Sequence, residues 1–288
     1  MIKEFALDPD AVTTSFLDFK YIIEKFGISQ GRVISRFPKT WKRMVYEAAY
    51  ARLQGTTELS RIEVRLQGID DDVLFPSGRP GGDVSTTWVD RALLEHSREP
   101  FTAIISNNIL NQPDVVHKDE IEDTHTHFSP NNQWTIQRTA QAMMGCADFL
   151  LRHCKIVKLV DPHFDLSARR FRRPFDEALS RLNGSQVLIE IHRSDKISDA
   201  VLLQRFNQIL PAGLLPGETL SLYIHPEAPV HNRFIMTENG GLIYGVGLDD
   251  NDNGRGSPSD QVSLMAPKVF KACWDDYCNA RKIGEWSR

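Results

Sequence analysis

The apolar positions of this chain recur in two different rhythms. Over residues 10–26 they follow helical spacing: Phe16, Phe19, Ile22, Ile23 and Phe26 share one face, and Gly27 offers a C-terminal cap. A second helix is predicted after Pro38, with Trp41, Met44, Val45 and Ala48 inward. Residues 61–66 alternate charged and apolar side chains and predict a strand. Residues 68–86, rich in Gly, Pro and Asp, predict a long loop. A short helix over 88–96 and a strand over 101–106 complete an N-terminal region, residues 1–110, expected to be α+β. Residues 111–132 are polar and acidic and are broken by Pro113 and Pro130, which predicts a linker.

From residue 133 to residue 288 the rhythm changes. A helix is predicted over 134–153, with Ile136, Ala140, Met143, Ala147, Leu150 and Leu151 on one side. Strands at 156–160, 187–191 and 220–224 alternate with helices at 171–182 and 200–210. Residues 233–237 and 241–245 predict a hairpin across Asn239-Gly240. A last strand at 261–265 precedes a last helix at 267–281 that buries Val269, Phe270, Cys273, Trp274 and Tyr277. Alternating strand and helix imply a largely parallel sheet covered on both faces, and in such sheets sites form beyond the carboxyl ends of the strands. The expected fold class is α/β, a sheet flanked by helices and preceded by the α+β region.

Composition narrows the functional classes. The 288 residues are 41% hydrophobic and 25% charged, as in ordinary globular proteins, and the formal net charge is −4. An acidic chain does not coat nucleic acid non-specifically, so any anion site must be local. No apolar run reaches membrane-spanning length and Met1-Ile2-Lys3-Glu4 begins no signal peptide, so a cytoplasmic protein is expected. Cys146, Cys154, Cys273 and Cys278 lack metal-ligand spacing; Cys273 and Cys278 fall in an apolar helical pattern and are expected to be buried reduced thiols.

The stretch with most chemistry is His231-Asn232-Arg233, then Glu238, then Gly240-Gly241-Leu242-Ile243-Tyr244-Gly245-Val246-Gly247. This H-x-R-x4-E pattern resembles the H-x-K-x4-D signature of the phospholipase D superfamily, with Arg for Lys and Glu for Asp. With Gly247-Leu248-Asp249 after it, it looks like the phospholipase-D-like C-terminal domain of MIT-domain proteins and similar bacterial domains. The resemblance covers about the last half of the chain and implies a phospholipase-D-like sheet. It also implies catalytic roles for His231 as nucleophile, Arg233 as phosphate-holding cation and Glu238 as orienting acid. In that superfamily the histidine forms a phosphohistidine without metal and a second histidine protonates the leaving oxygen. A single motif would therefore need a homodimer to complete the site. In the MIT-domain proteins the fold serves binding instead. The expected alternatives are a phosphate-recognising, nucleic-acid- or polyphosphate-binding subunit of a multi-component assembly such as bacterial defence, or a homodimeric, metal-independent phosphodiesterase or nuclease. No cofactor is expected.

Two more turns add candidates. Asp161-Pro162-His163-Phe164-Asp165 and His192-Arg193-Ser194-Asp195 each end a predicted strand, and Arg169-Arg170-Phe171-Arg172-Arg173 follows the first. In a parallel sheet these turns gather at one edge with His231, so His163, His192, Arg193, Arg169 and Arg170 are candidate ligand-binding residues in a phosphate-friendly cleft. The same arginines also suit a solvated helix start capped by Asp165 or Ser167. His125 and His127 in a polar stretch, without a partner motif, do not make a metal site. Basic residues around Trp41 suit a core aromatic better than a base-stacking platform.

Overall fold

A computed structural model of the chain describes residues 1–81, 85–108, 112–183, 186–226, 232–251, 254, 256–278 and 280–288. It divides into two compact units, residues 2–131 and residues 132–288 together with Met1. Among the described residues no helix is long and apolar enough to cross a membrane.

The first unit runs β1 (Lys3–Leu7), α1 (Phe16–Glu24), β2 (Arg32–Ser35), α2 (Trp41–Leu53), α3 (Thr57–Gln67), β3 (Leu74–Phe75), α4 (Trp88–Arg98), β4 (Ala103–Ser106) and β5 (Val115–His117). Its sheet has the order β3-β2-β1-β4-β5, and every described pairing is parallel. The region read above as α+β is therefore a parallel sheet. β2 and β4 are short runs buried at every position, without an alternating polar face, as strands covered on both sides must be. Alternate residues of β1 serve different cores. Phe5 and Leu7 join Phe19, Ile22, Trp41, Val45, Ile62 and Phe128, whereas Ala6 joins Phe37, Trp88, Ala92, Phe101 and Ile104.

Two expectations fail here for stated reasons. Residues 61–66 lie in α3, not in a strand: Ile62 and Leu66 are one helical turn apart and buried, while Val64 between them is 73% exposed. Thr56 caps that helix by accepting from the Leu59 amide. The expected linker, residues 111–132, is part of the first unit over its described residues 112–131. Val115–His117 adds the edge strand β5, and Ile121 and Phe128 are buried in the core. The Phe128 ring stacks on Phe5 at 5.2 Å, and buried Arg32 donates to the Phe128 and Ser129 carbonyls. Apolar residues inserted singly into a polar stretch give no periodicity to read.

The second unit runs β6 (Gln133–Gln137), α5 (Ala140–Arg152), β7 (Ile156–Val160), α6 (Arg169–Leu179), β8 (Leu188–Ser194), α7 (Asp199–Asn207), β9 (Thr219–His225), β10 (Phe234–Thr237), β11 (Gly240–Tyr244), β12 (Ser259–Leu264), α8 (Pro267–Asp276) and β13 (Arg281–Ser287). These form a mixed sheet of order β13-β9-β8-β7-β10-β11-β12-β6, parallel across β9-β8-β7 and antiparallel elsewhere. The chain is thus α/β, with helices flanking its sheets. Two ends differ from expectation. Thr139 caps α5 by accepting from the Ala142 amide, so the helix starts later and residues 133–137 are free to pair as a strand. The last helix stops at Asp276, and residues 281–287 close the far edge of the sheet against β9.

The two faces of this sheet are covered differently. α5 lies on one face, where the buried Tyr244 hydroxyl donates to the Met143 carbonyl at 2.7 Å. α8 lies on the other, where Tyr277 packs with Val160, Phe234, Met236 and Met265. Val269 turns outward instead of into this core, and Cys278 is exposed rather than buried.

Trp41 ties α2 to the central strand of the first unit, since its indole N–H donates to the Leu7 carbonyl at 2.6 Å in a fully buried setting. Trp41→Phe should therefore destabilise that unit by about 1–3 kcal/mol, the cost of an abandoned buried acceptor. Urea titration followed by far-ultraviolet circular dichroism measures this; an unchanged midpoint would show that the contact contributes little.

Candidate functional site

The register of the second sheet sets the site. β10 runs antiparallel to β7 with Phe234 opposite Val160, so Arg233 enters the sheet beside Asp161, at the carboxyl edge of β7 and β8. Asp161 is 2% exposed and accepts from the His163 amide at 2.8 Å and the Leu248 amide at 2.9 Å. Burial raises its pKa, opposed by those two amides and by the charge of Arg233. Gly247 fits against this carboxylate because it has no side chain: a Cβ there would meet an Asp249 carboxylate oxygen at 2.8 Å and an Asp161 oxygen at 3.3 Å. Gly247-Leu248-Asp249 is thereby pinned to the end of β7.

α6 supplies the next contact through a proline. Pro174 has no amide hydrogen to give to the carbonyl one turn earlier, on Arg170. That carbonyl accepts instead from the Asp250 amide at 2.9 Å, docking the loop after β11 onto the helix. Side chains reinforce the joint: Arg173 lies 3.1 Å from the Asp250 carboxylate and Arg170 3.7 Å from that of Asp249. Arg138, buried just after β6, donates to the Asp249 carboxylate at 2.6 Å and to its carbonyl at 2.9 Å. The sequence reading missed Arg138; its only signal is a charged residue directly before the Thr139 cap.

Acidic partners temper the expected positive cleft. On the same side Arg205 donates to Asp165, which also accepts from the Ser167 amide and hydroxyl. Burial works against the Asp165 carboxylate, but the Ser167 and Arg205 contacts outweigh it and hold its pKa below the usual range. Arg169 and Arg170 are exposed on the first turn of α6. That turn has Ala168 at its N-cap, with no side-chain cap.

The sequence candidates separate into three groups. Arg233, exposed His163, Arg169 and Arg170 lie at the carboxyl edge around Asp161 and Asp249. His192 and Arg193 are 0% and 1% exposed and serve internal networks. Arg193 donates to the Phe164 carbonyl at 2.7 Å. His192 Nε2 lies 3.1 Å from the Glu190 carboxylate and its Nδ1 2.9 Å from Nε2 of His225, a histidine the sequence reading did not select. Glu238 lies at the opposite end of β10, about 17 Å of extended chain from Arg233. Its carboxylate accepts the Lys155 and Ile156 amides at 2.7 and 3.1 Å, anchoring the β10–β11 turn to the start of β7. His231 lies outside the described residues.

No family model matches the chain, and no curated protein matches it. Among solved structures, it is similar to the archaeal chromatin protein TrmBL2, whose structure shows a novel mode of DNA binding. The identity is 14% over 57% of this chain and 57% of that one, with a TM-score of 0.33. It is also similar to NUC from Salmonella typhimurium, a phospholipase D family member, at 14% identity over 52% of this chain and 96% of that one, with a TM-score of 0.36. At these values the functional reading rests on the residues of this chain.

The buried histidines carry a pH signature. Burial, with the nearby His192 and Lys158, lowers the His225 pKa to about 4. An unfolded histidine takes up its proton at about pH 6.5, so between the two values the unfolded chain binds more protons. Stability of the second unit should fall as pH drops from about 6.5 toward 4, and His225→Gln should flatten that decline. Urea midpoints at pH 7 and pH 5 test this; equal pH dependence in both proteins would remove His225 from the account.

Proposed function

We propose that the second unit is a phosphate-recognising module, binding nucleic acid or a polyphosphate as one subunit of a larger assembly. One observation carries the reading: the side-chain-uncapped first turn of α6 presents exposed Arg169 and Arg170 at the same sheet edge as Arg233 and His163. First-turn amides and the helix dipole favour an anion, and a planar guanidinium can grip phosphate with two parallel hydrogen bonds. Asp161 lies beside Arg233 and Asp249 beside Arg170, so the site is local and orientation-dependent, as an acidic chain requires. Glu238 has a structural part in this reading, tying a turn to the opposite end of the sheet.

A second reading, a metal-independent phosphodiesterase or nuclease acting as a homodimer, is favoured by His231, which keeps the nucleophile of the signature it resembles.

Fluorescence anisotropy with single- and double-stranded DNA and with inorganic polyphosphate tests the first reading. Arg233→Ala should weaken binding more than Arg233→Lys, and Arg169→Ala with Arg170→Ala should weaken it further. Affinity should fall with salt as counterions are released. Binding indifferent to salt and to all these substitutions would place recognition elsewhere. Turnover of a nuclease substrate that survives EDTA and is lost in His231→Ala would instead establish the second reading.

A further inference from the structure

The α8 face of the second sheet holds a chain of titratable groups that phosphate recognition at Arg233 does not use. Strand register places Glu190 and His192 on one face of β8, and Tyr223 and His225 on the same face of β9. The His192 ring lies parallel to Tyr223, 4.8 Å away, and Tyr277 meets both histidine rings edge-on at 5.3 and 5.1 Å. Lys158, on β7, lies 3.6 Å from Glu190 and 4.2 Å from the Trp274 ring. Its charge offsets that of the carboxylate, so the buried part of the cluster carries little net charge.

These contacts dictate the tautomers. A carboxylate can only accept, so the Glu190 contact at 3.1 Å puts the proton of neutral His192 on Nε2. His192 Nδ1 is then an acceptor, and the 2.9 Å contact to His225 Nε2 requires the proton to sit on that nitrogen. His225 Nδ1 is left with a bare lone pair. It makes no hydrogen bond to any described residue, and His225, at the carboxyl end of β9, is 7% exposed. Tyr223 and Tyr277 both pack on the His192 ring, and Tyr277 packs on the His225 ring.

We propose that Glu190, His192 and His225 form a relay that presents His225 Nδ1 as a nucleophile for a phosphoryl group. The class of substrate rests on the phosphate reading above; the relay rests on its own geometry. Burial keeps both histidines neutral near pH 7, the form in which imidazole attacks. In the step, the Nδ1 lone pair bonds to phosphorus while the bond from phosphorus to the leaving group breaks, and the leaving group departs with that electron pair. The positive charge formed on the ring is relieved as the Nε2 proton moves to His192 Nδ1, and the Glu190 carboxylate stabilises the imidazolium that this makes of His192. His225 is the reacting group; His192 and Glu190 are positioning residues.

Potassium phosphoramidate, a direct phosphoryl donor that loses ammonia, is the probe. Phosphorus NMR and peptide mass spectrometry of the treated protein should find a phosphohistidine at Nδ1 of His225, absent in His225→Asn. Glu190→Gln keeps an acceptor oxygen but not the charge, and should slow labelling on the order of 10²-fold. Nitrogen NMR of the untreated wild type should show both His192 and His225 as Nε2–H tautomers, a readout independent of whether any variant folds. An Nδ1–H tautomer at His192, an unlabelled His225, or Glu190→Gln labelling at the wild-type rate overturns the relay. Because the probe is not a nucleic acid, intact DNA binding with no label at His225 would sink the relay alone, and a labelled His225 without DNA binding would sink only the binding reading.

Discussion

The organisation of the second unit depends on one buried carboxylate. Asp161 ends β7 and holds two backbone amides, one in its own turn and one in the loop that follows β11. Residues 87 positions apart in the chain thereby meet at the sheet edge where Arg233 enters. A carboxylate removed from water is costly unless its lone pairs are filled, and here two backbone amides fill them while the charge of Arg233 favours the ionised form. The glycine at position 247 fits the same corner, because a side chain there would collide with the Asp249 carboxylate and crowd that of Asp161.

Around that point arginine and aspartate alternate as structural partners. Arg138 and Arg173 hold Asp249 and Asp250, and Arg205 holds Asp165. A helix proline reinforces the pattern by freeing a carbonyl for the incoming loop. Much of the positive charge that looks available in the sequence is thus used in folding. What stays exposed is the first turn of α6 with its two arginines. The α8 face uses polar groups differently: Glu190, His192, His225 and Lys158 lie among tyrosine and tryptophan rings and contact one another, with Nδ1 of His225 left over.

Much of the second unit was legible in the sequence because its strands and helices are amphipathic over several residues. The positions of β7, β8, β9, the β10–β11 hairpin and α8 follow from periodicity, and the edge with Asp161, Arg233 and Gly247 follows from strand order. The first unit was harder to read. β2 is a short run buried on both faces and β5 is only three residues long, so neither carries an alternating signature, and three residues of α3 imitate one.

The sequence by itself determined which residues could bear charge, cap helices or break them, and where apolar faces lie, since these are properties of neighbours along the chain. Only the tertiary structure decided which charges remain free. Arg170 and Arg173 are three residues apart on one helix, yet Arg173 is drawn to a buried carboxylate while Arg170 stays exposed near another. His163 and His192 each follow apolar runs, yet one reaches solvent and the other is enclosed, because His163 lies in the turn beyond β7 whereas His192 lies within β8 under Tyr277. Partners in these pairs come from segments far apart in the chain, and spacing along a sequence carries no information about a contact that register and helix packing create.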